Sequence, residues 1–255
     1  MRSVNKRTRR RPRPGEVKAV AVDVDGTLAD EDRNISLEAV AALRQVERAG
    51  VLVMLASGNV LPIAFGLSQY LGFTGPVIAE NGGIVLYKQK VWVIGDPTGP
   101  RKAYDYLRKK MDAARLFTDQ WRQTEIGLKG DVDFKKVKRL LVGRGVDVQT
   151  TGFAVHIMRT GMDKFIGVKK ACELLGITPD QVAAIGDSDN DEMMVRECGF
   201  GIAVANALEG TKLVASYVAK KEDGDGIVEG LEWLGLIRPS SGKGLSRMQS
   251  IKDIP

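Results

Sequence analysis

Cysteine is nearly missing from this sequence, with only Cys172 and Cys198 present. Two thiols cannot build a disulfide framework, so both are expected to be small core residues in a reducing compartment. No uninterrupted apolar run reaches about 18 residues, which argues against a membrane-spanning helix. The N-terminus has no apolar signal-peptide core, so the expected location is the cytoplasm. Internal repeats are absent. Acids are missing from the first 15 residues, which carry Arg2, Lys6, Arg7, Arg9, Arg10, Arg11 and Arg13. Without those seven, 31 basic residues face 32 acids, so the net charge of +6 belongs to a tail and the body is close to neutral.

What is present describes a packed protein. Of 255 residues, 44% are hydrophobic and 27% charged, enough for one large domain or a core plus a smaller one. The stretch Lys18 to Thr27 organises the chain. Its apolar, β-branched run reads as a strand buried on both faces. It ends on Asp23 and Asp25, which extended backbone turns to the same side, followed by Gly26-Thr27. Two acids at the carboxyl end of a central strand lie where open α/β sheets place ligands. An ordinary Asp/Gly turn is the competing reading.

Further along, Ser36 is expected to cap a helix that ends near Ala49, before Gly50, and residues 51–56 form a second buried strand. Strand, helix and strand make a right-handed βαβ unit. Ser57-Gly58-Asn59 then precedes a helix with Pro62 in its first turn. A hydroxyl and the N–H groups there can cradle an anion, although Ser-Gly turns are common. A third strand ends at Glu80-Asn81-Gly82-Gly83. From residue 85 to 159 the pattern turns to hairpins and consecutive strands, which predicts an inserted α+β unit. Its expected elements are a hairpin, helices near 101–111 and 134–141, and strands near 122–128, 146–150 and 153–158. Alternation then resumes with a helix over 164–175 and strands near 182–185, 202–204 and 217–218. Helices are expected over 192–197, 208–215 and 226–236. The organisation expected is a basic tail over 1–15, a discontinuous core over 16–84 and 160–238, the insertion over 85–159, and a loose tail over 239–255.

Polar residues follow several core strands: Asp23 and Asp25, Ser57, Asn81, and Asp187 with Asp191. The acids offer hard oxygen ligands of the kind Mg²⁺ takes. A calcium loop of the EF-hand type fails, because counting from Asp187 its sixth position is Glu192 and its twelfth Gly199. With Asp23-Val24-Asp25-Gly26-Thr27, Ser57-Gly58-Asn59, Lys164 and Gly186-Asp187-Ser188-Asp189-Asn190-Asp191 in order, the sequence resembles the haloacid-dehalogenase-like superfamily. The insertion is similar to the cap of its Cof-type branch. Ser57 to Val60, Glu80 to Gly83, Asp119-Gln120-Trp121-Arg122 and Asp163-Lys164 resemble archaeal-type phosphoglycolate phosphatases.

The resemblance implies a doubly wound, mostly parallel, Rossmann-like α/β core, an inserted α+β cap and an Mg²⁺-dependent phosphatase. It makes Asp23 the nucleophile and Asp25 the acid and base, with Ser57, Gly58, Asn59 and Lys164 on the phosphoryl group. Asp23, the Asp25 carbonyl, Asp187 and Asp191 would hold Mg²⁺, and Asn190 would order their loop. The expected partner is a small phosphorylated metabolite, 2-phosphoglycolate first and sugar phosphates or mannosyl-phosphoglycerate second.

Bland readings stand beside these. Asp189 is read as a turn or supporting acid, Asn81 as a site residue or a left-handed turn, and Trp121 as packing. Arg122 is either a carboxylate partner or a surface arginine, and His156, the one histidine, either structural or a substrate contact. The arginine-rich tail could bind nucleic acid by counterion release, a reading ranked well below the enzyme. No membrane partner is expected, and the sequence leaves the oligomeric state open.

Overall fold

A computed structural model describes residues 10–151 and 154–238. The main sheet has eight strands, and its centre is β1 (Ala19–Val22). To one side lie β2 (Leu52–Ala56), β3 (Val77–Ala79), β4 (Ile84–Tyr87) and β5 (Lys90–Val93). To the other lie β9 (Val182–Gly186), β10 (Phe200–Ala203) and β11 (Tyr217–Val218). All pair in parallel except β4 and β5, which are antiparallel.

Val20, Ala21, Val53, Met54, Ala184 and Ile185 are fully buried. This is the two-sided burial that the apolar runs require. The helices α1 (Leu37–Arg48), α2 (Leu61–Leu71), α5 (Lys164–Leu175), α6 (Glu192–Glu197), α7 (Glu209–Val214) and α8 (Asp223–Trp233) cover the sheet. Ser36 caps α1 by accepting from the Ala39 N–H, and Gly176 ends α5 in the left-handed region. Strand order reverses at β1, so a crevice opens at its carboxyl end. Asp23 is the next residue.

The second sheet has order β6 (Ile126–Lys129), β8 (Ala154–Arg159), β7 (Val146–Thr150), with α3 (Thr98–Leu107) and α4 (Phe134–Leu141) packed on it. Leu107, Leu128, Val137 and Ile157 form a separate apolar core.

Three expectations need correction. The hairpin β4–β5 was placed in the insertion, yet Val77, Ile78 and Ala79 pair with Leu86, Val85 and Ile84, so it extends the main sheet. Antiparallel pairing is common at the edge of such sheets, and the Glu80–Gly83 turn reverses the chain tightly enough to allow it. Next, β6 starts at Ile126 and not at 122, because Glu80 takes up the backbone N–H groups of Gln123 and Thr124. Finally, the basic tail expected over 1–15 touches the core at Arg10, which pairs with Glu16 and lies 5.7 Å above the Phe200 ring, while residues 10–15 stay mainly exposed. Residues 1–9 and 239–255, expected to be loose tails, lie outside the described residues. Among the described residues, no helix is long and apolar enough to cross a membrane.

Candidate active site

Three loops and the start of α5 meet beyond β1. The loop after β1 brings Asp23, Asp25 and Thr27, that after β2 brings Ser57, Gly58 and Asn59, and that after β9 brings Asp187 to Asp191. The first residue of α5 is Lys164, which is 1% exposed despite its charge. A buried ammonium is costly unless paired. Here its Nζ donates to Asp23 Oδ1 at 2.5 Å and to Asp191 Oδ1 at 2.7 Å. Burial disfavours the ammonium, but Asp191 and Asp23 outweigh it and keep Lys164 charged.

Asp23, Asp187 and Asp191 offer oxygens within 4.8 Å of one another. Burial first, and then Asp191, lift the Asp23 carboxyl well above its usual range and push Asp187 up to about 6. One ammonium is thus too little positive charge for three acids. A hard divalent cation would remove that imbalance, so the donor set fits the group the sequence anticipated.

The supports are specific. Thr27 Oγ1 donates to Asp187 Oδ1 at 2.8 Å, and Asp191 Oδ2 accepts from the Asp187 and Ser188 N–H groups, each at 3.1 Å. Gly26 has φ +83°, and a Cβ there would sit 2.6 Å from Asp187 Oδ2, so a side chain would strain the turn and crowd the acid. Asp25 turns away from the acid cluster: its Oδ2 accepts from Asn59 Nδ2 at 2.7 Å, while Ser57 Oγ accepts from the Asn59 N–H at 3.0 Å. Asp189 is exposed and stays out of the cluster.

Asn81, Arg122 and His156 all reach the region, but not as separate contacts. Asn190 Nδ2 donates to Asn81 Oδ1 at 3.0 Å, and Asn81 Nδ2 donates to Glu125 Oε2 at 2.9 Å. Glu125 Oε1 accepts from Arg122 and lies 2.9 Å from His156 Nδ1. Burial opposes the Glu125 charge, but Arg122 and His156 overcome it and hold the carboxyl below its usual range. Arg122 also donates to the Gly58 carbonyl at 2.9 Å.

Glu125 escaped sequence reasoning, while Thr27 and Glu80 stood inside the quoted motifs without a role. Glu80 accepts from the Thr124 N–H at 2.8 Å and its hydroxyl at 2.7 Å. A lone glutamate in a mixed segment carries no spacing signal; only the buried partners reveal it. Trp121 meets Phe117 edge to face at 5.2 Å and is half-exposed at the rim, not packed inside.

Between the two sheets lies a cleft of about 220 Å³, lined by Asp23, Asp25, Asn59, Phe117 and His156 among others. Asp23, Asp25, Asn59 and Asn190 make its floor polar, and Ala154 and His156 of the second sheet form part of its roof.

Comparison with known proteins agrees with this geometry. Residues 20–120 and 129–231 match the family of haloacid dehalogenase-like hydrolases. The chain is 38% identical over 213 residues to a phosphoglycolate phosphatase of Methanothermobacter thermautotrophicus, covering 84% of this chain and 96% of that one. It is 40% identical over 223 residues to one from Archaeoglobus fulgidus, covering 87% and 98%. A solved structure from Thermoplasma acidophilum superposes with a TM-score of 0.81 at 32% identity, covering 87% and 99%. A subclass IIB sugar phosphatase shares the fold alone, with TM-score 0.72 at 18% identity over 87% of this chain and all of that one.

Proposed function

Since the chain belongs to the haloacid dehalogenase-like hydrolase family and is a phosphatase, we propose that it hydrolyses 2-phosphoglycolate to glycolate and phosphate, with Mg²⁺, through Asp23. The observation carrying this reading is the meeting of Asp23, Lys164, Asp187 and Asp191 at the carboxyl end of β1.

Asp23 attacks phosphorus as a carboxylate, forming an acyl-phosphate bond while the ester P–O bond breaks. Asp25, facing the same cleft, gives the leaving alkoxide its proton and then takes one from the water that cleaves the acyl phosphate. Ser57, the N–H of Gly58 or Asn59, and Lys164 hold the phosphoryl oxygens as charge shifts among them. Asp23, the Asp25 carbonyl, Asp187 and Asp191 are the residues that would hold Mg²⁺, and Asn190 orders their loop. The cation, when bound, supplies positive charge against an anionic nucleophile and an anionic substrate.

The substrate reading rests on the archaeal relatives and on the size of the cleft. At about 220 Å³, with Ile63, Leu116 and Phe117 on its walls, it suits a small leaving group better than a glycosylated one. The second sheet, between the motif loops in sequence and above them in space, is the cap in this reading. Phosphate release is to be measured across 2-phosphoglycolate, sugar phosphates and mannosyl-phosphoglycerate, with Mg²⁺ and with EDTA. The highest kcat/KM is expected for 2-phosphoglycolate, lost in EDTA. A sugar phosphate turned over faster would overturn the substrate, and full activity in EDTA would overturn the metal.

A further inference from the structure

Arg122 looks like the natural partner for a substrate carboxylate, but its geometry commits it elsewhere. It donates to Glu125 and to the Gly58 carbonyl, and its side chain is 2% exposed. Its Nε is buried without a hydrogen-bond partner among the described residues, and the nearest acid oxygen, Asp119 Oδ1, lies 3.8 Å away. The guanidinium is therefore a fixed brace between the phosphate loop and the roof.

Arg122 and His156 both line the cleft with Asp23 and Asp25, and both side chains are nearly buried, at 2% and 3% exposed. His156 differs in keeping one ring nitrogen outside the brace: it stands on β8, paired with Gly127 on one side and Gln149 on the other. Its Nδ1 is engaged by Glu125 at 2.9 Å, which leaves Nε2 as the ring nitrogen for a ligand. Glu125 is itself locked by Arg122 and by Asn81, so the ring has little freedom to rotate. Leu116 and Phe117 complete an apolar surround in which one charge-assisted contact discriminates strongly.

We propose that His156, and not Arg122, reads the leaving group: with both ring nitrogens protonated, Nδ1–H donates to Glu125 and Nε2–H donates to the carboxylate of the departing glycolate. Glu125 is the positioning residue that fixes the ring and supplies the counter-charge, and Arg122 braces Glu125 against Gly58. The inference rests on the phosphoglycolate reading and narrows it to substrates with a carboxylate next to the phosphate-bearing carbon. Through Asn81 and Asn190, the same carboxylate joins this roof to the loop of Asp187 and Asp191.

The test compares 2-phosphoglycolate with 2-hydroxyethyl phosphate, which has equal length and no carboxylate. The wild type is expected to prefer the former. In His156→Gln, kcat/KM for 2-phosphoglycolate should fall about 10- to 100-fold, as for a lost charged hydrogen bond, with 2-hydroxyethyl phosphate changed less than about threefold. Glu125→Gln should erode the same discrimination. A wild type without preference overturns the substrate reading and this inference together. A preference that survives His156→Gln, or equal loss on both substrates, overturns only the role of His156. A readout independent of variant folding comes from the chain's single histidine. In ¹⁵N-imidazole NMR of the wild type, glycolate should shift the ring signals and ethylene glycol should not. Signals unmoved by saturating glycolate contradict the contact.

Discussion

Asp187 shows how one residue's environment sets a measurable behaviour. Its carboxyl ordinarily titrates near 3.8, and burial beside Asp191 raises it to about 6 in the fold. Between those values the native protein binds more protons than the unfolded chain, so metal-free stability falls as pH rises across the window. A cation needs the ionised form, so Mg²⁺ binds better as pH rises through the same interval. Melting curves should show a larger Mg²⁺-induced rise in Tm at pH 7 than at pH 5; the reverse order would exclude Asp187 from the metal set. Thr27→Val should weaken Mg²⁺ binding by about tenfold, because it removes the hydroxyl that orients Asp187, and titration calorimetry would register it. At this scale the core site was legible in the sequence, since Asp23, Ser57, Lys164 and Asp187 each sit at a strand end or helix start whose pattern is local. Arg122 was not: its role depends on Glu125 and Gly58, three residues away in one case and 64 in the other.

At the scale of elements, the turn between β3 and β4 governs more than its length suggests. Glu80, Asn81 and Gly82 all have positive φ, and a Cβ at Gly82 would lie 2.1 Å from the Asp163 carbonyl oxygen. That turn therefore presses on the start of α5, where Lys164 begins. Gly82→Ala should cost more than about 1 kcal/mol by urea denaturation and lower kcat as Lys164 is displaced. By contrast, Ser36 does not line the cleft and Ser36→Ala removes only the cap of α1; about 1 kcal/mol should be lost with kcat unchanged. The boundaries of α1 and α5 came through from the sequence because Ser36 and Gly176 act locally, whereas α3 and α8 each begin three residues before the expected 101 and 226. The hairpin β4–β5 was misplaced because strand period and turn residues identify a hairpin without saying which sheet it joins. That choice is made by Ile84 and Val85, buried one strand in from the sheet edge through contacts no local pattern encodes.

For the molecule as a whole, two apolar cores are joined by few but buried polar contacts. Glu80 accepts from Gln123 and Thr124, Glu125 from Asn81, and Gly58 from Arg122. Such contacts fix one arrangement of roof and floor, since leaving any partner buried and unpaired costs about 1–3 kcal/mol. Asn81→Ala should accordingly raise hydrogen exchange in residues 117–129 before it touches β1 and β9. Uniform protection across both sheets would deny the joint its role. The sequence announced a discontinuous core and an insertion, because motif order and the change in periodicity run along the chain. Which side chains bridge the two could emerge only once residues such as Asn190, Asn81 and Glu125 were brought together, Asn81 across 44 positions to Glu125 and across 109 to Asn190.

The central claim is that Asp23 is the nucleophile of a phosphatase. Its most direct test is phosphate release from 2-phosphoglycolate in Mg²⁺ by wild type and Asp23→Asn, a change that keeps the side chain's shape and removes its charge. The account predicts a loss on the order of a thousandfold or more in kcat with the folded state preserved by circular dichroism. Turnover by Asp23→Asn within about tenfold of wild type would contradict it.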